Sequence, residues 1–141
     1  LLAQMNANSG SKLRTNGSIY PQYSINEQNI DRVYLARGNT DLRKSIDGLA
    51  VLVQEGFNLD PFSPCLFVFC NRKRDKIKIL QWDVNGFWLH YRRLEKGTFE
   101  WPDENSSPTL NISFRQLRWL LDGLPIKQRH AHPEVNARTL I

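Results

Sequence analysis

Residues 66–101 constrain this chain more than any other stretch, because short turns divide them into runs of strand length. Residues 66–70 are apolar throughout, and 76–83 and 87–95 are rich in β-forming residues. Asn85-Gly86 between the last two is a strong hairpin signal. With those two residues as the turn, Val84 is expected opposite Phe87, Trp82 opposite Leu89 and Leu80 opposite Tyr91. The period of two puts all six on one side of the sheet. Burial of Trp82, Leu89, Tyr91 and Leu80 is therefore expected. The opposite side carries Ile79, Gln81 and Asp83 against Arg92, His90 and Trp88. A further turn at Lys96-Gly97 would bring Leu94 to Phe99 and Arg92 to Trp101, making residues up to 101 a fourth antiparallel strand. That second side is apolar at one end and polar, cationic and aromatic at the other.

The chain before this stretch supplies a parallel neighbour. Arg32-Val33-Tyr34-Leu35 reads as a strand ended by Gly38. Thr40 is a candidate cap for the next helix, and Asp41 suits its first turn. Leu42, Ile46, Leu49 and Val53 recur at helical spacing, and Gly56 marks the stop. Strand, helix, strand makes a βαβ unit, so 33–35 is expected to lie parallel to 66–70. A central position explains why 66–70 is apolar on both sides. After Trp101-Pro102 a polar linker, 103–108, breaks the pattern. Ser113 with Gln116 forms a capping box. Phe114, Leu117, Leu120, Leu121 and Leu124 make that helix's core side, with Gly123 and Pro125 ending it. Arg115, Arg118 and Trp119 lie toward its other side and are candidates for contact with a protein partner.

A length of 141 residues suits one domain with a core of its own. The fold class expected is α+β: a mixed five-stranded sheet, one parallel βαβ unit plus an antiparallel meander, with two helices. Residues 1–30 are polar, rich in Asn, Ser and Gln, and read as a tail with a local strand near 19–23. The domain proper is expected over 31–125, and 126–141 reads as a basic tail. No apolar run reaches membrane length, and 1–30 contain no apolar signal region, so a cytoplasmic protein with no membrane contact is expected. Cys65 and Cys70 do not make a disulfide framework, and Cys70 in an apolar strand reads as a small buried thiol.

The net charge of +5 has a location. Arg72, Lys73, Arg74, Lys76, Lys78, Arg92 and Arg93 face only Asp75 and Asp83 within 72–93, so this segment carries as much net charge as the whole chain. Such a stripe attracts phosphates. The competing reading is a solvated turn whose charges discourage edge pairing.

Catalytic chemistry is harder to find. A nuclease with a ribonuclease-H-like core needs a metal-holding carboxylate on its first central strand, and 66–70 has none. Asp83, Glu95 and Glu100 are scattered along the sheet by the expected pairing. The cysteines with His90, His130 and His132 lack zinc-site spacing, His130-Ala-His132 being a weak signal only. No phosphate-cradling glycine loop or nucleophile elbow is present, so neither metal nor cofactor is implied. His90 reads as a sheet-face histidine bonded to Gln81 or water.

Thr40-Asp41-Leu42-Arg43-Lys44, Asp47-Gly48-Leu49, and Leu66-Phe67-Val68-Phe69 followed by Asn71-Arg72-Lys73-Arg74 resemble the TnpB-type accessory proteins encoded by the second open reading frame of insertion-sequence-66 elements. Lys78-Ile79-Leu80, Trp82-Asp83, Gly86-Phe87, Arg93-Leu94-Glu95-Lys96-Gly97, Trp101-Pro102 and Leu121-Asp122-Gly123 extend the likeness across 33–123. The resemblance implies a role in transposition beside a separate transposase that holds the catalytic carboxylates. It offers no catalytic residue to carry over. The function expected is a non-catalytic accessory factor binding element-end DNA, the transposase, or both. Arg72, Lys73, Arg74, Lys76, Trp88, Arg92 and Arg93 are the candidate DNA contacts. A protein–protein adaptor without DNA contact and a divergent metal-dependent nuclease are the alternatives.

Overall fold

The structure, a computed structural model, describes residues 25–128. Five strands make one mixed sheet: β1 (Arg32–Ala36), β2 (Cys65–Cys70), β3 (Lys76–Asp83), β4 (Gly86–Arg93) and β5 (Thr109–Ile112). Their order is β4-β3-β2-β1-β5, with β1 parallel to β2 and every other pair antiparallel. Two helices, α1 (Ile46–Val51) and α2 (Phe114–Leu121), complete the α+β domain. The expected strand near 19–23 and the histidines 130 and 132 lie outside the described residues.

β2 is the axis of the molecule. All six of its residues are buried, because α1 and α2 cover its opposite faces. Cys65, Phe67 and Phe69 join Leu49 and Val53 of the α1 segment, together with Leu80. Leu66, Val68 and Cys70 join Leu117, Leu120 and Leu121 of α2, together with Ile77 and Ile79. Burial pushes the Cys70 thiol up to about 12, so it packs as an apolar group and does not react as a thiolate.

The two helices are built differently. α2 has the expected capping box: Gln116 N–H donates to Ser113 Oγ at 3.0 Å, and Ser113 N–H donates to Gln116 Oε1 at 2.8 Å. It ends in a Schellman motif, with Leu124 N–H bonded to the Trp119 carbonyl and Gly123 N–H to the Leu120 carbonyl. Gly123 takes the left-handed conformation this requires, at φ +80°. Leu124, expected in the core, is instead carried outward by that turn and is exposed. α1 is shorter than expected and starts later. Thr40 is not its cap: its backbone N–H donates to the Cys70 carbonyl at 2.8 Å, fixing residue 40 at the end of β2. Ser45 occupies the cap position without a side-chain cap bond. A π-helical turn, Leu52–Gly56, follows α1 and ends at the expected glycine.

The β3–β4 hairpin departs from its expected register by two residues. Asp83 pairs with Gly86, Trp82 with Phe87, Leu80 with Leu89 and Lys78 with Tyr91. The turn is therefore Val84-Asn85, with Val84 at φ +55° and 87% exposed. A shift of two preserves side-chain parity, so the face assigned to each strand residue holds. The depth does not. Leu80 is fully buried, while Trp82 and Leu89 are half-buried and Tyr91 is exposed, because α1 is too short to reach β4.

Residues 94–101 form no strand. The chain must travel from β4 at one edge to β5 at the other, about 19 Å at normal strand spacing. It crosses the end of the sheet: Phe99 N–H donates to the Arg74 carbonyl, and Trp101 Nε1 to the Ala36 carbonyl at 2.9 Å. Phe99 and Trp101 are buried in the α2-side core on the way. The fifth strand is β5, whose four residues cover the open edge of β1. Ile25 and Ile126, from the segments read as tails, also pack onto this core.

Candidate nucleic-acid interface

The turn between β2 and β3 is organised by one side chain. Asn71 Oδ1 accepts the backbone N–H of Asp75 at 3.1 Å and of Lys76 at 3.0 Å, and Asn71 Nδ2 donates to Asp75 Oδ1 at 2.7 Å. These bonds, with Lys73 and Lys76 close by, hold the Asp75 carboxyl below its ordinary pKa. Arg74 sits at φ +64°. Its guanidinium bends back to donate to the Trp101 carbonyl at 2.7 Å and to Asp103 Oδ1 at 3.2 Å. Arg74 thus ties the turn to the crossing segment, leaving Arg72 and Lys73 exposed at the tip.

On the α1 side of the sheet this turn borders an open cleft of about 830 Å³. Lys76 and Lys78 enter it from β3, Tyr91 from β4, Arg72 and Lys73 from the turn, and Arg43 from the loop before α1. Lys78 Nζ donates to the Leu42 carbonyl at 2.6 Å, fixing that loop against the sheet. Arg43 is neutralised by a paired contact with Asp41, at 2.9 Å from Nε to Oδ1 and 2.7 Å from Nη2 to Oδ2. The Arg43 hydrogen bonds hold the Asp41 carboxyl well below the usual carboxylate range. Arg72, Lys73, Lys76 and Lys78 form no ion pair with a carboxylate among the described residues. A carbonyl bond leaves the charge on Lys78 intact, so four positive charges remain around the cleft.

The candidate residues do not all meet there. Arg93 lies opposite Lys76, on the cleft side, with its Nε bonded to Glu95 Oε2 at 2.7 Å. Trp88 and Arg92 point to the other face. Arg92 Nε donates to the Leu121 carbonyl at 2.6 Å, a cation at the negative end of α2. Trp88 is half-exposed, bonded through Nε1 to Asp83 Oδ2 at 3.1 Å and stacked on His90. Four residues of strand, about 13 Å, separate Trp88 from Arg92. His90 Nε2 lies 2.9 Å from Gln81 Oε1, as expected, and burial lowers its pKa. On α2, Arg115 stacks over the Trp119 ring at 4.7 Å, while Arg118 bonds Glu27 Oε1 at 3.1 Å and lies over Phe114.

Sequence reasoning left Lys78, Tyr91 and Arg43 out of the candidate contacts. Parity along β3 and β4 places Lys78 and Tyr91 with Lys76 and Arg93, so that signal was present. Arg43 carried none, because only the Thr40–Cys70 bond and the Lys78 contact bring its loop to the turn. Among the described residues, no group of three or more His, Cys, Asp or Glu is placed to hold a metal ion, and no helix is long and apolar enough to cross a membrane.

Two proteins of Sinorhizobium fredii (strain NBRC 101917 / NGR234) are similar to this chain. One, y4hO, is 39% identical over 97 residues, covering 69% of this chain and 83% of its own length. The other, y4jC, is 30% identical over 93 residues, covering 66% of this chain and 79% of its own length. No solved structure matches significantly. The profile of the family described as IS66 Orf2-like protein matches residues 31–131, which include the whole sheet, both helices and every residue of the cleft. The chain belongs to the IS66 Orf2-like family, products of insertion sequences.

Proposed function

We propose that this protein is a non-catalytic accessory factor of transposition that contacts element DNA through the basic cleft and acts beside a separate transposase. Family membership supports the transposition-associated role. The observation that carries the DNA reading is the gathering of Arg72, Lys73, Lys76 and Lys78 around one open cleft, none of them in an ion pair among the described residues. Phosphates are the ligands such a site fits best, since each contact releases condensed counterions. The absence of catalysis is supported by the placement of two carboxylates: Asp83 ends β3 opposite Gly86, at the start of β4, and Glu95 follows the other end of β4, more than about 20 Å of strand away. Mg²⁺-dependent nicking by the purified protein, lost in Asp83→Asn or Glu95→Gln, would overturn that part.

The binding test is fluorescence anisotropy with element-end DNA at about 50 and 200 mM salt. The wild type is expected to bind with a steep negative salt slope. Replacing Arg72, Lys73 and Lys76 together by Ser should weaken binding to every sequence and flatten the slope by about two to three phosphate contacts. A triple variant that binds like wild type would leave the charges as a solvated turn. The protein would then be a protein–protein adaptor, with the Arg115–Trp119 surface of α2 as its first candidate contact.

A further inference from the structure

The cleft does not end at its cations. On the α1 side, β4 presents Phe87, Leu89, Tyr91 and Arg93 in sequence, and β3 presents Trp82, Leu80, Lys78 and Lys76 beside them. The helix that covers β2 buries Leu80 but leaves the β4 side of this strip partly open. Tyr91 is 54% exposed directly opposite Lys78, so an aromatic face stands open beside the cleft cations. Two pairs further along, Trp82 and Phe87 meet edge to face at 5.0 Å, and Phe62 from the loop before β2 leans on both while remaining 55% exposed. The distance from Tyr91 to Phe87 along β4 is about 13 Å. One strip therefore carries phosphate-seeking charges and the open Tyr91 ring at one end, and, beyond the Leu80–Leu89 pair, a partly exposed aromatic group at the other.

Charges alone suit a duplex, which offers phosphates and hides its bases. Exposed aromatic rings beside charges suit a single strand, whose unpaired bases stack on them. Resting on the DNA-binding reading above, we infer that the strip takes single-stranded DNA, with phosphates at Arg72, Lys73 and Lys76, one base on Tyr91, and the strand continuing toward Phe62. The ligand class is an unpaired or opened end of the element DNA. Trp88, on the opposite face, takes no part.

The experiment compares Tyr91→Ala, Tyr91→Phe and Trp88→Ala in the full chain, each titrated with a single-stranded oligonucleotide and with its duplex. Tyr91→Ala should weaken single-strand binding about fivefold or more and leave duplex binding unchanged, which also shows that the variant is folded. Tyr91→Phe should retain single-strand binding, since the ring remains. Equal loss on both DNA forms, or no loss, overturns the inference while the charge-based reading stands. Selective loss in Trp88→Ala would overturn it by moving the bases to the α2 face. Tighter binding of the matching RNA strand would overturn the assignment to DNA. A wild type that binds neither form removes both this inference and the reading beneath it.

Discussion

The two faces of the sheet are equally apolar at β2 and differ in what lies over them. On the α2 face, a helix closed by a capping box and a Schellman motif is joined by Phe99, Trp101, Ile25 and Ile112, and Arg92 fastens β4 to the helix end. On the α1 face, six helical residues and a π turn cover β2 and leave the outer strand only partly covered. The first face behaves as core. The second grades from core at Phe67 and Phe69 to open surface at Tyr91. The lesson is that strand composition sets which residues share a face, while the length of the covering helix sets which of them remain available to a ligand.

The largest consequence is in stability. Leu120→Ala, on the covered face, should cost about 2–5 kcal/mol in denaturant unfolding, as for other fully buried leucines. Leu89→Ala should cost only about 1 kcal/mol, because the side chain is half-buried. Equal costs would mean that the α1 face is covered more fully than this structure shows. The two helix starts provide a smaller contrast. Ser113→Ala should cost about 1 kcal/mol by removing a formed cap. Ser45→Ala should fall near zero, since its hydroxyl caps nothing. A large loss from Ser45→Ala would break the distinction between the helices.

The subtlest difference is a matter of pH. His90 lies at the open end of the α2 face, where burial lowers its pKa in the folded state. A histidine with a depressed folded pKa contributes stability that is present above its unfolded pKa, near 6.5, and lost as pH falls toward the folded value. Unfolding midpoints of the wild type should therefore drop as pH is lowered below about 6.5. His90→Gln, which keeps a polar partner for Gln81, should flatten that part of the profile. An unchanged profile would place His90 in solvent.

Much of this was legible in the residues themselves. The wholly apolar run of β2 announced a central strand, and Ser113 with Gln116 announced the start of α2, because both signals are local and strong. The α+β class and the parallel β1–β2 unit followed from element order. The hairpin register was misread because Asn85-Gly86 is a favoured turn, while Val84 at positive φ is not. Cross-strand packing of Leu80 on Leu89 and Trp82 on Phe87 accompanies the observed register, and no local preference encodes those contacts. β5 was missed because Thr-Leu-Asn-Ile is too short to display a period.

By itself, then, the sequence determined the alternation that sorts side chains onto two faces, the central place of β2, the ends of α2 and the concentration of charge in 72–93. Each depends on neighbours within a few positions along the chain. Tertiary structure alone decided which charges remain available. Arg74 is drawn to Trp101 and Asp103 and Arg92 to the Leu121 carbonyl on the opposite face, whereas Arg72, Lys73, Lys76 and Lys78 gather around the cleft. A guanidinium bonds to whatever acceptor the fold brings within about 3 Å. For Arg74 and Arg92 those acceptors lie 27 and 29 residues away along the chain, beyond the reach of any local pattern.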